Sequence, residues 1–278
     1  MNIALPDGRS FELGRVPLVM GIVNVTPDSF SDGGHFLAAE NAVAHGMQLA
    51  AEGAAILDIG GESTRPGHAP VTAEEELKRV LPVVGELHRR LDVPISIDTT
   101  KAEVAAAAIA AGAQIVNDVW GFQRDPEIAR VVAESSVPAI LMHNRDEVDP
   151  AVDIMAEVID FLSRSIDIAL AAGVRHERLI VDPGFGFGKT HEQSLRLLAE
   201  LERLEVFGLP ILIGVSRKRA IGYVTGRAEP RERLAGSLAA AVIGAEHGAA
   251  IIRVHDVGPH VDAMKMFSVI GKRPGRAA

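Results

Sequence analysis

The feature that most constrains this chain is an alternation that runs from residue 18 to residue 270. Short runs rich in β-branched residues give way to longer, Ala-rich amphipathic stretches, and the pattern then repeats. The strand-like runs are Leu18–Val25, Ala55–Ile59, Pro94–Ile97, Gln114–Asn117, Pro138–Met142, Leu179–Val181, Pro210–Val215 and Ala250–Val254. Helix-like stretches follow them at 38–52, 73–91, 101–111, 125–136, 151–172, 191–204, 232–247 and 258–270. Strands that are apolar throughout are buried on both faces, as in a parallel sheet covered by helices. Eight such βα units with no break in composition predict an α/β fold, a (β/α)8 TIM barrel, rather than a doubly wound sheet. Gly53, Gly112, Gly173 and Gly248 follow helix-like stretches and read as helix stops. The opening segment Asn2–Leu13, around Pro6-Asp7-Gly8-Arg9, predicts an N-terminal β-hairpin within residues 1–17. The 278 residues fit one barrel domain, with 271–278 expected to fray.

Composition narrows the class. The apolar share is 47% and the charged share 23%, which is ordinary globular usage and rules out disorder. The net charge of −9 argues against general nucleic-acid binding. Cysteine is absent, so disulfides, thiolate metal sites and cysteine nucleophiles are excluded. No apolar run reaches the ~18 residues of a membrane helix. The N-terminus lacks a basic stretch followed by an apolar core. A cytoplasmic protein that meets no membrane is expected.

In a barrel enzyme the chemistry gathers where strands end and βα loops begin. Each of the eight runs ends on polar groups here. They include Asn24, Asp58, Asp98, Asn117-Asp118, His143, Asp182, Ser216-Arg217-Lys218-Arg219 and Arg253-Val254-His255. One such residue is more often a helix cap than a catalyst. All of them together, with Asn24, Arg253 and His255 unneeded as caps, read as an enzyme rim. Arg65, Arg217, Lys218, Arg219, Arg253 and His255 lie after the second, seventh and eighth runs, where a phosphate group is expected. Arg253 and His255 are two apart and point to one side of a strand. Asn24 is a neutral oxygen donor that suits a Mg²⁺ ion shared with diphosphate, or equally an amide that holds its own loop. Asp98, Asn117 and Asp182 suit a planar ring with adjacent N–H and NH₂ donors, unless Lys218 balances the carboxylates. The stretch Gly184-Phe185-Gly186-Phe187-Gly188-Lys189-Thr190 fails both the Walker A and the dinucleotide spacings. It reads as a flexible, Phe-bearing wall for a flat ligand.

These residues together resemble the dihydropteroate synthase family. The matching segments are Gly21–Gly34, Gly60–Gly67, Ile97–Lys101, Val116–Val119, Leu141–His143, Asp182–Lys189, Ser216–Lys218 and Arg253–Val257. The resemblance implies a TIM-barrel transferase of folate biosynthesis, a usual homodimer and a sulfonamide target. It implies that 6-hydroxymethyl-7,8-dihydropterin diphosphate and 4-aminobenzoate condense to 7,8-dihydropteroate and diphosphate. By match, Asn24 would bind Mg²⁺, and Arg253 and His255 would hold the diphosphate, with Thr64 and Arg65 assisting. Asp98, Asn117, Asp182 and Lys218 would bind the pterin. Phe187 and Pro66 would line the aminobenzoate pocket, and the segments 26–34 and 62–67 would move to close over it. Catalysis would fall to Asp98, Lys218, Arg253 and His255. After Ser-Arg-Lys many members carry Ser, where this chain has Arg219. The backbone at that helix start could still hold the benzoate carboxylate.

Three rival readings use fewer of these residues. A barrel that passes a methyl group from reduced folate to a corrinoid partner shares the pterin carboxylates but needs no diphosphate groups. A non-catalytic pterin-binding module would not need the whole rim. A sugar-phosphate barrel would not need Phe185 and Phe187.

Overall fold

The computed structural model describes residues 2–25, 34–62 and 70–270, with backbone alone over 34–37. Strands β1 (Asn2–Ala4) and β2 (Ser10–Glu12) pair antiparallel, with Ile3 opposite Phe11, as the expected hairpin. The next eight are β3 (Leu18–Asn24), β4 (Ile56–Gly60), β5 (Ile95–Asp98), β6 (Ile115–Asp118), β7 (Ala139–Met142), β8 (Leu179–Asp182), β9 (Ile211–Ile213) and β10 (Ala249–Val254). They form one closed parallel barrel in chain order, in which β10 pairs back onto β3. The TIM barrel read from the alternation is therefore the fold.

The helices are α1 (Gly34–Ala51), α2 (Ala73–Arg90), α3 (Ala102–Ala110), α4 (Glu127–Ser135), α5 (Ile154–Ala171), α6 (His191–Ala199), α7 (Arg219–Thr225), α8 (Leu234–Glu246) and α9 (Val257–Ile270). Local signals set their ends. Thr72 caps α2 by accepting the Glu75 amide at 3.2 Å, and Glu74, Glu75 and Glu76 face the positive end of its dipole. Thr190 and Gln193 form a reciprocal capping box on α6. Gly53, Gly112, Gly173 and Gly248 have positive φ, so they stop helices as expected. The pattern missed α7, because seven residues that include Gly222 carry too little periodicity. The stretch 191–204 also divides, with α6 followed by a 3₁₀ segment over Leu201–Phe207.

Two apolar clusters explain why the strands look continuously hydrophobic. One lies between strands and helices and includes Leu57, Ile59, Ile97, Val116, Leu141 and Val181. The other fills the barrel and includes Met20, Ile56, Ile115, Ile140, Ile180, Leu212 and Ile251. Alternate residues of one strand thus enter different cores. Ile3, Leu5 and Leu13 of the hairpin segment join the inner cluster, so the hairpin plugs the end where the strands begin. Arg9 ties this plug down by donating to the Asp92 carbonyl. No helix among the described residues is long and apolar enough to cross a membrane.

Because Ile180 is 1% exposed within the barrel, Ile180→Ala leaves a cavity that the rigid strands fill poorly. A loss of about 2–5 kcal/mol is expected in urea unfolding. A loss under ~1 kcal/mol would show that the inner layer is not close-packed.

Candidate active site

Two residues beyond the inner apolar layer, the strands turn polar. Asp58, Asn117, Asp182 and Arg253 follow Ile56, Ile115, Ile180 and Ile251 by two, and Asp98 follows Ser96 by two. A period of two keeps them facing inward, one storey nearer the open mouth. Arg253 joins this storey. Its Nε donates to Asp58 Oδ2 at 2.6 Å, and its Nη2 donates to Asp98 Oδ2 at 2.7 Å. Asn117 Nδ2 also donates to Asp58 Oδ2, at 3.1 Å. The remaining oxygen, Asp58 Oδ1, is buried without a hydrogen-bond partner among the described residues.

Burial dominates the electrostatics. It pushes the Asp98 carboxyl up to about 7, although Arg253 pulls the other way. It pushes Asp182 up to about 6, against the Gly184 amide and the charge of Lys218. Burial also disfavours the charge on Arg253, but Asp58 and Asp98 outweigh it and hold the guanidinium above its ordinary value. The sequence placed Asp58 at a strand end without giving it a role. The repeated spacing of an inner isoleucine followed two residues later by a polar group is the signal that could have found it.

The loop after β8 forms one wall. Asn117, Asp182, Phe187, Lys218 and Arg253 line a common cleft. The Lys218 ammonium lies 3.9 Å from the centre of the Phe187 ring. Phe185 lines the same cleft, but it is buried and packed into the outer apolar cluster, so it serves the core as well as the wall. The glycines suggested a flexible wall, but the loop is braced. Asp182 Oδ1 accepts the Gly184 amide at 2.7 Å. Lys189 Nζ, itself buried, donates to the carbonyls of Gly184 at 2.8 Å and Phe187 at 2.9 Å. It also lies 2.7 Å from His143 Nδ1, and burial holds His143 down to about 2. Neither Lys189 nor His143 had a role from sequence.

The basic rim is less positive than its residue count implied. Arg217 sits in a left-handed conformation at φ 59° and forms an ion pair with Asp256. Its amide donates to Ser237 Oγ at 2.9 Å, and Arg233 Nη1 donates to its carbonyl at 3.0 Å. This bonding holds the strained turn, which places Lys218 at the residue before α7. Arg219 is exposed on the first turn of that short helix. His255, counted with the cations on residue type, is neutral: burial pushes it down to about 3, reinforced by Arg217, Arg253 and Lys218. Asn24 is half-buried at the mouth end of β3, in register with Gly60 of β4. Thr64, Arg65 and Pro66 lie outside the described residues, as do 26–33 of the first segment expected to move and 63–67 of the second.

Comparison with known proteins finds likeness along nearly the whole chain. Residues 20–255 match the family model described as pterin binding enzyme. The dihydropteroate synthase of Clostridium beijerinckii is 46% identical over 266 residues, covering 95% of this chain and 98% of the relative. The Xanthomonas albilineans dihydropteroate synthase solved with 4-aminobenzoic acid is 49% identical, with a TM-score of 0.94 over 99% of this chain and 100% of that one. The same enzyme solved with 7,8-dihydropteroate is 48% identical, with a TM-score of 0.90 over 99% and 100% of the two chains.

Gly184 has φ 67°, and a Cβ there would run into the His143 carbonyl oxygen. Gly184→Ala is therefore expected to destabilise the chain by about 2 kcal/mol or more in urea unfolding. An unchanged midpoint would mean that the loop is not locked against β7.

Proposed function

Since the chain belongs to the dihydropteroate synthase family of pterin-binding enzymes, we propose that it joins 6-hydroxymethyl-7,8-dihydropterin diphosphate to 4-aminobenzoate. The products are 7,8-dihydropteroate and diphosphate, made in folate biosynthesis. The observation that carries this reading is the inward storey of Asp58, Asp98, Asn117, Asp182 and Arg253, open beside Phe187 and Lys218. Asp182 and Asn117 present an acceptor and an amide to the edge of a flat, donor-rich ring. Phe187 and Lys218 offer a face and a charge beside it. Arg253 and His255 stand at the end of β10 and hold the diphosphate, with Thr64 and Arg65 as further contacts. The Arg219 amide, on the first turn of α7, holds the benzoate carboxylate near Phe187.

The displacement is SN1-like. The methylene C–O bond breaks, and its electron pair leaves on the diphosphate. The pterin ring carries the positive charge that develops, and the Asp98 carboxylate stabilises it across a dry site. The amine nitrogen then forms the C–N bond and releases one proton. The amine is neutral at pH 7, so no strong base is required.

A magnesium ion belongs to the same proposal. Among the described residues no group of three His, Asp or Glu side chains could cage a metal. A hard neutral oxygen from Asn24 fits an ion that takes its other ligands from water and substrate phosphate. Bound there, the ion would neutralise charge on the leaving group. A homodimer is supported by exposed Tyr223 and Val224 on α7 and exposed Met266, Val269 and Ile270 on α9, the two helices that flank α8. A cytoplasmic location goes with the reading.

Two measurements test the proposal. With both substrates and Mg²⁺, one diphosphate should appear per dihydropteroate formed. Binding of the pterin diphosphate with no diphosphate released would favour a non-catalytic module. Pterin binding should also tighten as pH rises and level off above about 6, because ionised Asp182 accepts two donors and its protonated form does not. Asp182→Asn should bind weakly and lose the change centred near 6; wild-type affinity in that variant would overturn the assignment.

A further inference from the structure

We propose that Ser216 is a positioning residue that fixes His255 as an Nε2–H hydrogen-bond donor. Ser216 follows β9 and His255 follows β10, the strand paired beside it. Ser216 is 3% exposed, so its hydroxyl needs partners inside the protein. Among the described residues two are within reach, and both belong to His255. The His255 amide donates to Ser216 Oγ at 3.2 Å, and His255 Nδ1 lies 3.1 Å from the same oxygen.

Proton accounting orients the pair. A hydroxyl has one proton to give and two lone pairs to receive. The backbone amide can only donate, so it occupies a lone pair of Oγ. The hydroxyl proton then needs an acceptor, and Nδ1 is the one it meets among the described residues. With Nδ1 accepting, the ring proton of neutral His255 stands on Nε2, the nitrogen on the far side from Ser216. The reverse tautomer would put two donors on Oγ and leave a buried hydroxyl proton unbonded, which costs about 1–3 kcal/mol.

The consequence concerns the leaving group, and this step rests on the proposed diphosphate chemistry. A neutral ring with its proton on Nε2 offers an oxyanion a donor, whereas the other tautomer offers a lone pair that repels it. His255 then meets the departing diphosphate through Nε2–H, a donor whose direction Ser216 fixes. Arg253 supplies the charge beside it. Ser216 touches no substrate and acts through the ring.

The test reads the tautomer directly. Protein labelled with ¹⁵N-histidine is compared with Ser216→Ala and Ser216→Thr, and the His255 signals are assigned by their loss in His255→Gln. At pH 7 the wild type should show a pyridine-like Nδ1 and a pyrrole-like Nε2. Ser216→Ala should move toward mixed tautomers, and Ser216→Thr should restore the pattern. In turnover, Ser216→Ala should raise KM for the pterin diphosphate about tenfold, the size of one hydrogen bond to a charged group, and leave KM for the amine near wild type. Ser216→Thr should recover most of that loss. A protonated Nδ1 in the wild type, a tautomer indifferent to Ser216→Ala, or an unchanged pterin diphosphate KM in that variant overturns the proposal. If the wild type gave the expected spectrum but made no dihydropteroate, the reaction would be wrong and the tautomer right.

Discussion

Arg253 is set between two carboxylates inside a closed barrel, and the rest of the site is arranged around that arrangement. Its guanidinium leaves β10 and reaches across the mouth to β4 and β5, past β3, which lies between them in the barrel order. Asp58 is fully buried, and an unpaired carboxylate there would cost several kcal/mol. Arg253 offsets that penalty, and one acceptor, Asp58 Oδ1, stays without a hydrogen-bond partner among the described residues. Asn117 shares the same Asp58 oxygen, so the carboxylate also aims the amide expected to read the pterin. Pairing with Arg253 explains how Asp58 and Asp98 can stand together, while Asp182 on the same storey accepts the Gly184 amide. Burial still raises Asp98 and Asp182, which places their ionisation near neutrality.

Much of this was legible in the sequence, for a physical reason. Parallel strands buried on both faces read as unbroken apolar runs, so strands such as Leu18–Asn24 and Leu179–Asp182 appear within a residue of where they stand. Polar residues at the ends of such runs face either caps or the mouth, and Asp98, Asn117, Asp182 and Arg253 prove to share one inward storey. Side-chain pairing was not legible. Asp58 and Arg253 are 195 positions apart, and only the closed barrel brings them together. The neutral state of His255 likewise depends on burial and on Arg217, Arg253 and Lys218 around it, which residue type cannot report. Helix α7 was hidden by its length. The bracing of the glycine-rich loop depends on Lys189 folding back onto the carbonyls of its own loop, and on His143, which the pairing of β7 with β8 brings beside it.

The same accounting changes how charge and function connect. The chain carries a net charge of −9, yet an anionic substrate is proposed at its mouth. Local balance decides the matter rather than the total. Of the rim cations, Arg217 is neutralised by Asp256, and Arg253 is shared with Asp58 and Asp98. A diphosphate would therefore meet a site of modest charge rich in aimed donors. That suits a reaction in which charge must develop on the leaving group and then depart with it. Donors fixed in place lower the barrier without holding the product by charge alone.

The most direct test of this account is the turnover of Asp58→Asn with the pterin diphosphate and 4-aminobenzoate, beside a urea unfolding curve. Asp58 touches no substrate in the proposed chemistry, so its whole effect must pass through Arg253 and Asn117. The account predicts a cooperatively folded variant whose kcat/KM for the pterin diphosphate falls about 30–100-fold, the size of a lost hydrogen bond to a charged partner. A folded Asp58→Asn enzyme with near wild-type kcat/KM would contradict it.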